Sequence, residues 1–229
     1  MSVHAHQKLA IATGCCLAFL GAGVNACFLA QFGTSVSHLT GDVTKVALNI
    51  AEGHDALSSA ALHLICATLG FVGGAAAAGY SIHHPGMEFS RPYGRAMLAI
   101  GLLLVVAHFC LLRAPIAAIG ISGLACGFQN ALATHYRGMV LRTTHVTGLL
   151  TDLGASLGML LKGHRIARWK IAVPILLVAS FFAGALAGCA AFIAWPRWAL
   201  LGYAALYMLL GGVWIVLRLW SGAFRDPAA

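Results

Sequence analysis

Apolar residues occur along this chain in long continuous blocks. Six blocks are long enough to cross a hydrocarbon core as helices, at residues 8–32, 57–80, 95–112, 114–134, 170–195 and 198–220. The blocks do not alternate apolar with polar positions, and lipid offers no partners to an open backbone, so they indicate helices rather than strands. Two shorter, more polar stretches, 38–53 and 145–162, follow the first and fourth blocks. The pattern predicts an all-α polytopic membrane protein with a single membrane domain over residues 1–229.

The chain also contains an internal repeat. Three matches occur in the same order: Asn25-Ala26 with Asn130-Ala131, His38-Leu39-Thr40-Gly41 with His145-Val146-Thr147-Gly148, and residues 71–75 with residues 181–185. The two copies occupy residues 8–112 and 114–220. Each half therefore has the plan of one long span, one short polar helix and two further long spans.

The orientation of the halves depends on whether the short helices cross the bilayer. If they are re-entrant or broken, each half has three crossings and the halves are inverted. Of the fourteen Lys and Arg residues, only Lys45, Arg113 and Arg197 then lie on the second side. Because loops rich in Lys and Arg stay in the cytoplasm, this asymmetry predicts inverted repeats with both termini cytoplasmic. Eight crossings with parallel repeats is the alternative, and it gives a much weaker asymmetry.

The short helices are the strongest candidates for a functional site. Thr40 and Thr147 are predicted to be their N-caps, and free amides with a positive helix dipole favour an anion or an electron-rich group. Short helices in inverted repeats typically place such a site near the bilayer midplane. The predicted substrate-binding residues are Asn25, His38, Thr40, Gly41, Asp42, Thr44, Asn130, Arg142, His145, Thr147, Gly148 and Thr151. The alternative is that these polar groups cap helices and hold neighbouring helices together.

Two ionisable residues occupy equivalent positions in the short helices, Lys45 and Asp152. Charges at membrane depth are usually paired, so they are candidates for an intramembrane ion pair across the repeat axis. Lys45 could instead pair locally with Asp42, or both helices could be shallow enough for water to reach the charges.

Composition narrows the remaining functions. The chain is 60% hydrophobic and only 9% charged, with a net charge of +8. Most of the basic residues lie in short loops between apolar blocks, which indicates orientation in a lipid bilayer and argues against a nucleic-acid partner. No nucleophile, phosphate-loop or metalloprotease motif is present, so we expect no enzymatic activity, cofactor or metal. His63 and His108 lie in separate spans without neighbours at ligand spacing, so a haem or metal protein is a weaker alternative.

The repeated motifs resemble a known family. Residues 36–41, 126–131 and 141–148 look like the YoaK-like family of bacterial multi-pass membrane proteins, and the resemblance covers nearly the whole chain. It implies the bacterial cytoplasmic (inner) membrane and names no substrate. Two positions depart from the family pattern: Asn25 stands where Asp is frequent, and Asp42 where Asn is frequent.

These observations predict a small channel or secondary transporter for a small polar or anionic solute. The alternative is a non-transporting accessory subunit of a larger membrane complex, and a homo-oligomer is open in either case. The sequence leaves the solute and the coupling ion unspecified.

Overall fold

The computed structural model describes residues 3–53, 58–81, 93–132 and 143–221. Within these ranges the chain forms eight helices and no strand: α1 (Val3–Phe32), α2 (Leu39–Ala51), α3 (Ser59–Ser81), α4 (Tyr93–Cys110), α5 (Pro115–Leu132), α6 (Val146–Leu161), α7 (Trp169–Ala194) and α8 (Ala199–Ser221). The predicted all-α class is confirmed, and the order of long and short helices is as predicted in both halves.

Six of these helices are long and apolar enough to cross a membrane: α1 from Ile11, α3, α4, α5, α7 and α8. The short helices α2 and α6 have 13 and 16 residues, hence lengths of about 20 and 24 Å at 1.5 Å per residue. Both are shorter than a hydrocarbon core of about 30 Å. Large apolar side chains such as Leu69, Phe109 and Phe182 are exposed on the spans, as expected where a helix contacts lipid. The chain is a multi-pass membrane protein.

Small residues bring α1 against α7 and α3 against α5. On α7, Gly184 and Gly188 leave no room for a Cβ because the backbone of Phe19 and Gly23 lies against them. The contact positions rise together along both helices, so α1 and α7 are parallel. Glycines at 70 and 74 of α3 lie in the same way against residues 120 and 124 of α5. This second pair is therefore parallel too.

The other pairings are antiparallel. Gly94 and Gly101 of α4 lie against Gly211 and Ala204 of α8, so the numbering falls on one helix as it rises on the other. Residues 111–114 alone connect α4 to α5, and the two helices pack together. A connection of four residues spans at most about 14 Å, which requires an antiparallel hairpin. Residues 195–198 turn α7 into α8 in the same way. Helices α1, α4 and α7 thus run in one direction, and α3, α5 and α8 in the other.

The three most extensive helix pairings join one half of the chain to the other: α1 with α7, α3 with α5 and α4 with α8. The repeat relates α1 to α5, α3 to α7 and α4 to α8. Exchanging the two halves therefore converts the pairing of α1 with α7 into that of α5 with α3, and it leaves the pairing of α4 with α8 unchanged. The main core lies between the halves, where Leu17, Met97, Ile100 and Tyr207 are almost fully buried. The short helices α2 and α6 pack mainly on α3 and α7, respectively, at the periphery.

Candidate functional site

The loop that leads into α2 is organised by one amide side chain. Asn25 Oδ1, in α1, accepts hydrogen bonds from Ser35 Oγ at 2.6 Å, Val36 N at 3.0 Å and Ser37 N at 3.1 Å. Asp42 Oδ2, in the first turn of α2, accepts a further bond from Ser35 N at 2.6 Å. Both acceptors are buried. Asn25 and Asp42 therefore fix the shape of this loop.

The second half retains part of this arrangement. Thr144, the counterpart of Ser37 in the repeat, donates from Oγ1 to Asn130 Oδ1 at 3.0 Å. The counterpart of Asp42 is Leu149, which is buried among apolar side chains. The asparagine thus supports the loop before the short helix in both halves, while the acidic support is present only in the first. For Asn25, Asp42 and Asn130 the hydrogen bonds match the structural alternative stated above.

The prediction that Thr40 and Thr147 are N-caps was wrong. Helix α2 begins at Leu39 and α6 at Val146, with His38 and His145 at the N-cap positions and no capping bond from either side chain. In the first half the reason is local. Ser35 Oγ accepts a hydrogen bond from His38 N at 2.7 Å, which directs the chain into the helix before Thr40 is reached. Both threonines consequently lie in the first turn, and both are exposed.

The first turns of α2 and α6 lie at mid-depth in the bundle. The ring of His38 packs on Phe181 with centroids 5.0 Å apart, and Phe181 is at the middle of α7. In the other half, Thr144 Cγ2 lies 3.3 Å from the position that a Cβ on Gly21 would take, and Gly21 is at the middle of the span Ile11–Phe32. Each short helix therefore starts near the middle of a spanning helix and has about the length needed to reach one membrane surface.

The two histidines at these starts interact electrostatically. Burial lowers the pKa of His38 below its usual 6.5, and a positive charge on His145 lowers that pKa further. His38 Nδ1 lies 2.9 Å from Ser37 Oγ, whereas His38 Nε2 is buried and has no hydrogen-bond partner among the described residues. His145 is exposed. The site therefore has a half-buried imidazole at one helix start and an exposed one at the other.

Comparison with known families identifies the chain. The model of a family of proteins of unknown function, DUF1275, matches residues 13–213. The chain belongs to the DUF1275 family. No curated protein and no solved structure matches it. The match includes most of both copies of the repeat and all of the candidate residues, while the resemblance to the YoaK-like family stays a prediction.

One polar side chain beside the candidate site of this DUF1275 protein was not predicted from the sequence. Gln129 is buried and donates from Nε2 to Leu17 O at 2.9 Å and to Thr143 Oγ1 at 3.1 Å. Its Oε1 accepts a hydrogen bond from Tyr207 OH. Gln129 thus ties α5 to α1, to α8 and to the loop before α6. The repeat gave no signal for it because its counterpart in the first half is Val24.

The two charged candidates of the DUF1275 chain, Lys45 and Asp152, lie in different surroundings. Lys45 Nζ lies 3.4 Å from Asp42 Oδ1 and donates to Gly33 O at 3.0 Å. The structure thus contains the local pair, and Lys45 is not paired with Asp152, which is exposed on α6. Arg142 lies outside the described residues.

Most of the remaining candidate binding residues are exposed near the starts of α2 and α6. Thr40, Gly41, Thr44, Thr147 and Thr151 are exposed, and Gly148 is partly buried beneath the ring of His145. The Thr44 and Thr151 hydroxyls donate to the Thr40 and Thr147 carbonyls at 3.2 and 2.9 Å, which leaves the first-turn hydroxyls as the better-placed donors.

Proposed function

We propose that this protein is a small inverted-repeat channel or secondary transporter for a small polar or anionic solute, and not an enzyme. The helix directions support the inverted arrangement. Helix α1 is opposed to its counterpart α5, α3 to α7 and α4 to α8, as a two-fold axis in the membrane plane requires. Many transporters are built from repeats related in this way.

The observation that carries the proposal is the pair of short helices that start at mid-depth, with His38 and His145 at their N-cap positions. Neither helix start is capped by a side chain. The positive ends of both helix dipoles therefore lie at mid-depth in the bundle without a capping bond from the N-cap side chain. Such ends favour an anion or an electron-rich group and disfavour cations.

The candidate residues divide into two roles. Asn25, Asp42 and Asn130 are occupied in loop hydrogen bonds, so we assign them to positioning the helix starts. The side chains of His38, Thr40, His145 and Thr147 are assigned to the solute, because their polar atoms are at the helix starts. Gly41 leaves open space for close approach to the amides, whereas the His145 ring covers Gly148. Arg142 remains a candidate by sequence alone.

Charge distribution supports an orientation in the bacterial cytoplasmic membrane. The loop between α6 and α7 carries exposed Lys162, Arg165 and Arg168. Arg113 and Arg197 both lie at the other end of the bundle. By the positive-inside rule the first side is cytoplasmic. Both termini are then cytoplasmic as well.

Solute flux into proteoliposomes tests the proposal. The wild-type protein is reconstituted and assayed with a panel of small labelled anions and neutral polar solutes. His145→Ala should abolish the flux of the accepted solute, because an imidazole at the helix start is lost. The matched control is His164→Ala, which makes the same change in the exposed loop between α6 and α7. Both variants must elute as the wild type does in size-exclusion chromatography. Equal flux in wild-type and His145→Ala vesicles, or no flux of any solute, would refute transport.

The accessory-subunit function is favoured by a separate observation. Helices α2 and α6 leave apolar side chains exposed, including Val43, Leu48, Leu157 and Leu161. These faces could contact another membrane subunit as well as lipid. A partner that co-purifies in fixed stoichiometry from membranes in mild detergent, together with absent flux, would establish this alternative.

A further inference from the structure

A cavity of about 330 Å³ opens at one end of the bundle, away from the starts of α2 and α6. It lies where α1, α4 and α7 end and α8 begins. Its polar lining comes from Gln31, His108 and Arg197, and apolar walls come from Leu112, Phe192 and Trp198, among others. The volume falls within the range of small-molecule sites, about 300–1,000 Å³.

The lining has the chemistry of an anion site with an apolar wall. Arg197 contributes a guanidinium, which presents a planar set of N–H donors suited to phosphate. Gln31 adds an amide, and none of the described residues that line the cavity is acidic. The ring of His108 stacks on Trp198 with centroids 6.3 Å apart, and His108 Nδ1 is buried without a hydrogen-bond partner in the described part of the chain.

The position of the cavity indicates where its occupant comes from. Three spanning helices reach their ends here, so the cavity lies at the level where hydrocarbon meets water. Trp195 and Trp198 are 65% and 64% exposed, as tryptophans at membrane interfaces commonly are. Phospholipid headgroups occupy this level, with their phosphates beside the water and their chains beside the apolar surface.

We propose that this cavity binds the phosphate group of an anionic phospholipid. Arg197 supplies the cation, Gln31 supplies hydrogen bonds, and Phe192, His108 and Trp198 contact the glycerol and the first acyl carbons. This site is independent of the solute site at the short helices. Inorganic phosphate shares the recognised chemistry, and the experiment below separates the two sources.

Native mass spectrometry in a non-ionic detergent tests the site with phosphatidylglycerol as the probe. The wild-type protein should show one saturable site for this lipid. Arg197→Gln should weaken it about tenfold or more, because a hydrogen bond to a charged group is lost. Gln31→Ala should weaken it less. Arg113→Gln is the matched control, since it removes an exposed charge from the same end of the bundle but outside the cavity, and its effect should stay below about twofold.

Several outcomes would overturn the proposal. Equal weakening by Arg197→Gln and Arg113→Gln would mean that general surface charge holds the lipid. Equal binding of a diacylglycerol with the same chains would mean that phosphate is not recognised. Displacement of the lipid by an equal concentration of inorganic phosphate would assign the site to the free anion. Variants are compared only where their melting temperatures match that of the wild type.

Discussion

The tight crossing of α3 and α5 provides a sharp test of the helix pairing. A Cβ added at Gly123 of α5 would lie 2.6 Å from Ala67 O of α3, and 3.3 Å from Ala67 Cα. An ordinary contact begins at 3.4 Å, so the two backbones must separate by about 0.8 Å to accept alanine at this position. The neighbouring atom belongs to the backbone of a spanning helix and cannot rotate away. Overpacking of this kind costs about 1–3 kcal/mol.

Gly123→Ala should therefore lower the melting temperature of the detergent-solubilised protein. Taking about 2 kcal/mol for the overpacking, the shift is about 4–8 °C on the scale of soluble domains of this length. The matched control is Gly120→Ala, one turn away on the same helix and facing the same partner. Its added Cβ would lie 3.6 Å from Cys66 O, which is an ordinary contact, so its melting temperature should stay within about 2 °C of wild type. A fluorescence-detected melting scan measures both. Equal melting temperatures for the two variants would refute the parallel pairing of α3 with α5.

Three further outcomes are expected. Asn25→Ala should destabilise the protein by about 1–3 kcal/mol, because it leaves buried donors unpaired. Asn130→Ala should cost less, since among the described residues Asn130 Oδ1 accepts one hydrogen bond and Asn25 Oδ1 accepts three. Equal costs measured by denaturant titration would contradict the loop assignment. His38 has a lowered pKa in the folded protein, so the folded state resists protonation. Its contribution to stability is complete above pH 6.5 and declines as the pH falls below that value. His38→Gln should therefore flatten the dependence of the melting temperature on pH below 6.5. An unchanged dependence would contradict this role of His38. Cysteine at position 166, in a background without native thiols, should resist an impermeant maleimide added to intact cells, and labelling from outside would reverse the proposed orientation.

Continuous apolar blocks were sufficient to locate the helices. The block 170–195 differs by one residue at each end from α7, Trp169–Ala194, because a span must bury its whole backbone in lipid and therefore leaves an unbroken apolar signal. The repeat located the short helices for a similar reason, since the same motif occurs before each of them. The sequence prediction placed the first residues of the short helices too late, because threonine is a preferred N-cap residue. That preference is a local one, and here the hydrogen bond between Ser35 and His38 outweighs it.

Contacts between distant helices were beyond what the sequence could provide. Gln129 joins Leu17 across 112 positions and Tyr207 across 78, and no local pattern encodes such a pairing. The pairing of Lys45 with Asp42 was one of three alternatives, and the choice against Asp152 depended on how far α2 lies from α6. Only the three-dimensional arrangement decides that distance.

The pairing of helices across the halves has a consequence for biosynthesis. Cys27 of α1 lies against Gly188 of α7, and 161 positions separate them. At the usual 5–20 residues per second, the ribosome needs roughly 8–30 s to extend the chain from one to the other. During that interval α1 is already inserted, with its glycine-lined side facing lipid or the insertion machinery. The first half on its own lacks the main partners of all three of its spanning helices, so final assembly begins only as the last two helices enter the membrane.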